Sequence, residues 1–277
     1  MPEYRKATAF LGRVYPDRIG PTSRSLDGFN STLIMVDEFS HMVWLENMKV
    51  GQELCPVAEH LIYLAETEQI NGPRSQVRCI RGDFEFFKNN GLVDVAEQRR
   101  IRLENSTPHA HKKGVGETVV GHISRLTRSI LANCNPRYWS WAIYHAAFIW
   151  NHSRRQDQDV LPPVVRAGLC PSKQCSRILK KYTKIEFGAD VFVLQPKRAK
   201  KQRFNINSVR AEGMYLGVNL RQRGMIVKIG RRIYIRSNVV AKPNGRNEGQ
   251  LRLFRAYISV IPRKRASCLG ALERITQ

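Results

Sequence analysis

The chain has 277 residues, 42% hydrophobic and 9% aromatic, enough for one large domain or two ordinary ones and too apolar for a disordered polymer. Its net charge of +23 is uneven, because residues 181–277 hold 22 Lys and Arg against 5 acids. Such an excess points to a polyanion, most often nucleic acid, with a merely solvated basic surface as the plain alternative.

Taken in order, residues 7–16 form a short mixed segment ending at Asp17, and Arg18 to Asn30 reads as a loop rich in Gly, Pro, Ser and Asp. Thr32–Asp37 and Met42–Met48 are expected as strands joined by a polar hairpin turn. Leu54–Ile70 is periodic at Leu54, Val57, Leu61, Ile62 and Leu64 and reads as a helix, with Pro56 tolerated in its first turn. Gln76–Arg81 alternates apolar and polar residues and runs into Gly82-Asp83, so Asp83 falls where a strand gives way to a loop. A short helix near Leu92–Arg99 and a brief strand at Ile101–Leu103 follow. Asn105–Lys113 is polar and is expected as a loop that stays mobile until a ligand arrives.

Gly114–Leu131 reads as an amphipathic helix, with Val115, Val119, Ile123, Leu126 and Ile130 spaced by three and four. At about 100° per residue, Glu117 lies roughly 200° from Val115. It leaves the core stripe and shares a polar face with Gly121, Ser124, Arg125 and Arg128. Tyr138–Trp150 is apolar almost all round, the mark of a core helix, and its Trp139, Trp141, Phe148 and Trp150 read as packing rather than a ligand platform. Residues 151–180 are polar and broken by Pro162-Pro163, Gly168 and Pro171. Short β-like runs come next, at Val191–Leu194, Met214–Val218, Met225–Ile229 and Ile233–Ile235.

The expected organisation is an α/β unit over residues 1–155, a linker over 156–185, a small basic all-β module over 186–240 and a basic tail over 241–277. The order of elements fits a mixed five-stranded sheet with helices on both faces. Cys55, Cys79, Cys134, Cys170, Cys175 and Cys268 form no C-x-x-C pair and read as reduced thiols. No apolar run is long enough to span a bilayer, and Met1-Pro2-Glu3 does not open a signal peptide.

Three acids sit where chemistry would need them. Asp17 closes the first segment, Asp83 ends a strand and Glu117 opens a helix on its polar side. Two divalent ions about 3.5–4 Å apart across a scissile phosphate need oxygen ligands, and three carboxylates suffice for hard ions that keep several waters. The plain reading is a surface acid at a strand end and a first-turn acid favoured by the helix dipole. His109 and His111 invite a metal or base role, yet a polar loop near DNA tolerates histidines and neither has a recognisable partner.

At these residues the chain resembles the integrases of copia-type LTR retrotransposons, with the yeast Ty elements close by and retroviral integrases further off. Asp17-Arg18-Ile19-Gly20-Pro21 resembles the family's D-x-x-G-P, and Val36-Asp37-Glu38-Phe39-Ser40 its D-D-F-S hairpin, with Trp44 following. Ile80-Arg81-Gly82-Asp83 with Glu85-Phe86 resembles a shortened R-x-D-x-G-x-E-F, and Ser106 to Glu117 resembles the S-x-P…G-V-A-E run. Tyr138-Trp139, Ala142, Ala146 and Asn151, then Phe187-Gly188, follow the pattern over residues 10–240. Between Asp83 and Glu117 lie 33 residues, two fewer than the family's spacing, and the shortfall falls within Asp83-Phe84-Glu85-Phe86. Asp37 competes with Asp17 as first acid; the family places its catalytic acid before the G-P.

The resemblance implies an RNase H-like core that processes DNA 3′ ends and transfers them into target DNA. Asp17, Asp83 and Glu117 would be catalytic residues and ligands for two Mg2+ or Mn2+ ions. The implied partners are element ends and target DNA, in a homo-oligomer without a membrane, acting in the nucleus after a cytoplasmic particle. Lys112, Lys113, Arg125, Arg128, Lys197, Arg198, Lys200, Lys201 and Arg203 are the candidate DNA contacts, with nuclear import the lesser reading of the C-terminal clusters.

The departures keep two other readings open. Where the family has A-E-R-x-N-R this chain has Gly116-Glu117-Thr118-Val119-Val120-Gly121, and the glycine turn after the second acid is replaced by Phe84. Only 16 residues precede Asp17, so no H-H-C-C zinc module is seen, as in a polyprotein fragment or a decayed or repurposed copy. The alternatives are a catalytically degenerate, integrase-derived nucleic-acid-binding protein and an unrelated basic binding protein.

Overall fold

A computed structural model describes residues 6–20, 22–68, 75–83, 87–88, 90–105, 114–154, 161–194, 210–219 and 224–242. The first sheet contains β1 (Val14–Ile19), β2 (Phe29–Asp37), β3 (Val43–Lys49), β4 (Cys79–Gly82) and β5 (Arg102–Asn105), in the spatial order β3-β2-β1-β4-β5. β1, β2 and β3 pair antiparallel, whereas β1–β4 and β4–β5 are parallel, which makes the sheet mixed.

Strand β2 is apolar without alternation because both of its faces are covered. Leu33 and Met35 pack with Val57, Leu61 and Ile62 of α1 (Leu54–Thr67) and Leu92 and Ala96 of α2 (Asn90–Gln98). Ile34 and Val36 face the other way, onto Val119, Ile123, Leu126 and Ile130 of α3 (Val115–Leu131) and onto α4 (Trp139–His152). The five-stranded mixed sheet with helices on both faces, expected from element order, is therefore observed.

Helix α4 explains its own all-round apolarity. One flank lies on the first sheet, and the other lies beneath a second, antiparallel sheet. That sheet contains β6 (Asp190–Leu194), β7 (Arg210–Asn219), β8 (Gly224–Ile229), β9 (Arg232–Arg236) and β10 (Val239–Ala241), in the order β10-β6-β7-β8-β9. Val191, Val193, Tyr215, Leu216 and Val227 bury their side chains in the same core as Ala142, Ile143 and Ala146. The Tyr215 hydroxyl donates to the Tyr182 carbonyl (2.9 Å).

Three expectations shift. Asp17 lies inside a strand rather than at a segment's end, since Arg18 and Ile19 still pair with Leu33 and Thr32. Proximity to β2, which begins at Phe29 rather than Thr32, overrides the loop-like composition of this stretch. The polar, proline-broken segment carries two helices, α5 (Pro163–Arg166) and α6 (Ser172–Tyr182), with Pro163 at the N-terminus of the first, where a missing N–H costs nothing. Among the described residues, no helix is long and apolar enough to cross a membrane.

Candidate active site

The site forms where two parallel strands end. β1 and β4 are in register at Val14↔Ile80, and three residues further along the chain stand Asp17, within β1, and Asp83, just past the end of β4. Pro16 has no N–H to offer a neighbour, and among the described residues the β1–β4 ladder goes no further than Val14↔Ile80. The carboxyl ends of adjacent parallel strands are where open α/β sheets bind ligands.

Helix α3 supplies the third acid through a close backbone approach. A Cβ on Gly116 would meet the Tyr15 Cβ at 2.8 Å, so glycine lets the first turn of the helix rest directly on β1. Alternation puts Tyr15 and Asp17 on the same face of β1, the α3 face. Glu117 follows Gly116 in that first turn and is exposed, as are Arg125 and Arg128 along the same side.

Asp17 feels the charge of the other two acids. The Asp17 carboxyl is held above its usual range by burial first, and then by the negative charges of Asp83 and Glu117; an opposing pull comes from the Arg18 N–H, which donates to Asp17 Oδ1 (2.7 Å). Like-charge crowding of this kind is what a bound cation relieves. Three carboxylates are hard oxygen donors, so the donor chemistry fits Mg2+ or Mn2+. Among the described residues, however, no group of three or more His, Cys, Asp or Glu side chains is gathered closely enough to hold a metal ion.

Asp37, the competing first acid, has a different occupation. It is fully buried and its Oδ1 accepts the Leu11 N–H (2.9 Å), while Oδ2 accepts the Ser40 N–H (2.7 Å) and hydroxyl (2.6 Å). Its register partner is Val14, three residues from Asp17 and towards the other end of β1. These bonds tie the β2–β3 turn to the segment before β1. The adjacent Glu38 accepts from Arg13 Nη1 (2.9 Å) and the Tyr15 hydroxyl (3.0 Å), bracing the strand that carries Asp17.

Of the basic candidates, Arg125 folds back along its helix, with its Nε donating to the Gly121 carbonyl (3.3 Å), and Arg128 projects from the last turn. Lys112, Lys113, Lys197, Arg198, Lys200, Lys201 and Arg203 lie outside the described residues, as do His109 and His111. Sequence reasoning missed Tyr15 and Gly116 as the contact that fixes α3 on β1. The available signal was the small residue directly before Glu117. Cys55, Cys79, Cys134, Cys170 and Cys175 are free thiols. No model of a known protein family matches the chain, and no curated protein shows significant similarity to it.

Proposed function

We propose that the chain is a nucleic-acid strand transferase of the retrotransposon integrase type, with an RNase H-like core and a small basic β module. The observation that carries this reading is the placement of three acids far apart in sequence, Asp17 on β1, Asp83 just past the β4 end next to it and Glu117 in the first turn of α3, which rests on β1 through Gly116 and Tyr15. The order β3-β2-β1-β4-β5, with helices on both faces, Asp17 within β1 and Asp83 just past the end of β4, supports it further.

Asp17, Asp83 and Glu117 would hold two Mg2+ or Mn2+ ions, which supply activation of the attacking oxygen and neutralisation of charge at the leaving oxygen. The chain's own residues provide placement. Asp17 is the fixed member, restrained by the Arg18 N–H and by its register pairing with Ile34 of β2. Arg125 and Arg128, on the Glu117 side of α3, take phosphate oxygens of the DNA backbone. In the first step a water oxygen bonds to phosphorus as a P–O bond breaks, freeing a DNA 3′-hydroxyl. In the second that hydroxyl attacks a target phosphodiester in line, and the displaced oxygen leaves as a hydroxyl. No covalent enzyme intermediate forms. Joining two ends to one target requires two such sites, hence a homo-oligomer acting in the nucleus.

A second reading, a degenerate integrase-derived binding protein, is favoured by the sequence departures beside the acids, Phe84 after Asp83 and Thr118-Val119-Val120-Gly121 after Glu117. A strand-transfer assay in Mg2+ and in Mn2+, with wild type and Glu117→Gln side by side, separates the two. Product from wild type alone, with equal DNA binding by both, is the expected result. Equal absence of product with binding retained overturns the catalytic reading.

A further inference from the structure

Helix α6 (Ser172–Tyr182) carries a charge pattern that the three acids do not account for. Cys175, Ile178, Leu179 and Tyr182 turn inward, with Cys175 and Tyr182 buried. On the reverse side Lys173, Arg177, Lys180 and Lys181 are all exposed, and Lys184 continues the row just past the helix end. At about 100° per residue, Lys173, Arg177 and Lys180 fall within roughly 60° of one another and Lys181 some 40° beyond, opposite the buried set. The row from Lys173 to Lys181 is about 12 Å long at ~1.5 Å per residue.

Helix stability does not explain this stripe. Lys180 and Lys181 in the last turn suit the macrodipole, but Lys173 stands in the first turn, where a cation is opposed, and no acid sits there to offset it. The pairs Lys173/Arg177, Arg177/Lys180 and Arg177/Lys181 bring like charges together at spacings of four and three, which weakens a helix. The helix contains no acid at all, and no described carboxylate forms an ion pair with any of the four. On α1, by contrast, charge meets its opposite, and Glu66 pairs with Arg99 (3.2 Å).

We propose that the outer face of α6 docks the phosphodiester backbone of a nucleic acid, as a contact surface separate from the three acids. This deepens the strand-transferase reading and rests on the chain being a nucleic-acid-handling protein, but not on the acids being active. An anionic membrane fits less well. A membrane-surface helix needs a free apolar face to insert, and here that face is already committed to the protein core. Backbone docking needs only a row of cations, and it carries no base preference.

The test uses the whole chain and a variant with Lys173, Arg177, Lys180 and Lys181 each changed to Gln. The control variant removes four exposed cations away from α6, Lys6, Lys49, Arg78 and Arg100, and so matches the loss of net charge. Binding to a labelled DNA duplex, a single-stranded RNA and phosphatidylserine vesicles is followed by fluorescence anisotropy or co-sedimentation across a salt series. Unchanged circular dichroism melting of the variant keeps folding out of the comparison. The expected result is a loss of about tenfold or more for the α6 variant on DNA or RNA, with the log–log salt slope on duplex shallower by up to about 3.5, and a much smaller change in the control. The arm that loses more names the nucleic acid. Equal losses in the two variants, no loss in either, or a loss confined to vesicles overturns the proposal. Loss of nucleic-acid binding through α6 with no strand transfer under any condition removes the catalytic reading and leaves this one standing.

Discussion

Tyr15 and Gly116 touch so closely that a Cβ at residue 116 would stand 2.8 Å from the Tyr15 Cβ and 3.1 Å from its Cγ. Tyr15 has little freedom to retreat, because its hydroxyl is held by Glu38 and its strand is paired with β2. The helix must move instead. Gly116→Ala is expected to cost about 1–3 kcal/mol by overpacking, partly offset by up to ~1 kcal/mol of better helix propensity. It should reduce strand transfer more than DNA binding. Gly121 is the matched control, since nothing lies within 4 Å of a Cβ there. Gly121→Ala should stabilise by about 0.5–1 kcal/mol. Urea denaturation of the two variants checks the opposite signs.

Asp17 is predicted to trade stability for function. Burial and its two acidic neighbours raise its carboxyl above the ordinary 3.8, so over a pH window above 3.8 the folded chain keeps a proton that the unfolded chain has lost. Stability therefore falls as pH rises through that window, and at neutral pH the ionised group is a liability. Asp17→Asn keeps an oxygen for the Arg18 N–H and should raise Tm at pH 7, by about 2–4 °C if ~1 kcal/mol is relieved. It should also abolish strand transfer. A lower Tm than wild type would show that the acids do not crowd one another.

His145 gives the opposite pH signature. It lies fully inside the core between α4 and the second sheet, ringed by Phe148, Phe187 and Tyr215, and its Nδ1 has no hydrogen-bond partner there. Burial lowers it from the ordinary 6.5 to about 4. Between those values the unfolded chain binds a proton that the folded chain refuses, so stability declines as pH drops from 6.5 towards 4. His145→Leu should flatten that decline by up to about 1.4 kcal/mol per pH unit while changing little above pH 7. His152, also lowered by burial, leaves a residual slope. Chemical denaturation at a series of pH values makes the measurement.

Asn151 closes an open sheet edge. Its Oδ1 accepts the Val43 N–H (2.9 Å) and its Nδ2 donates to the Val43 carbonyl (2.8 Å), so a side chain on α4 pairs with edge strand β3 as another strand would. Asn151→Leu orphans both backbone groups and should cost about 2–5 kcal/mol. The bared edge should also increase aggregation during refolding, read by light scattering.

The strands and helices with strong periodicity were legible in the chain itself. The β2 apolar run and the α3 stripe from Val119 to Ile130 follow directly from spacing, and Glu117 stands on the outer face as its angle requires. What spacing could not reveal is which partner decides a weak segment. Arg18 and Ile19 are strand because Leu33 and Thr32 lie alongside, not because of their own propensity. Helix α6 was hidden by flanking prolines and by its density of lysine, although Cys175, Ile178, Leu179 and Tyr182 already marked a helical stripe. That the elements carrying Asp17, Asp83 and Glu117 adjoin depends on strand order and on the Tyr15–Gly116 contact, neither of which a linear spacing encodes.

The doubly covered flank of α4 sets how this chain can be cut for study. A fragment stopping shortly after His152 keeps all three acids yet strips Tyr215, Leu216 and Val227 from the helix, uncovering a greasy strip along Ala142, Ile143 and Ala146. Such a truncation should clump or need detergent, whereas a piece reaching Ala241 retains its own lid over that strip.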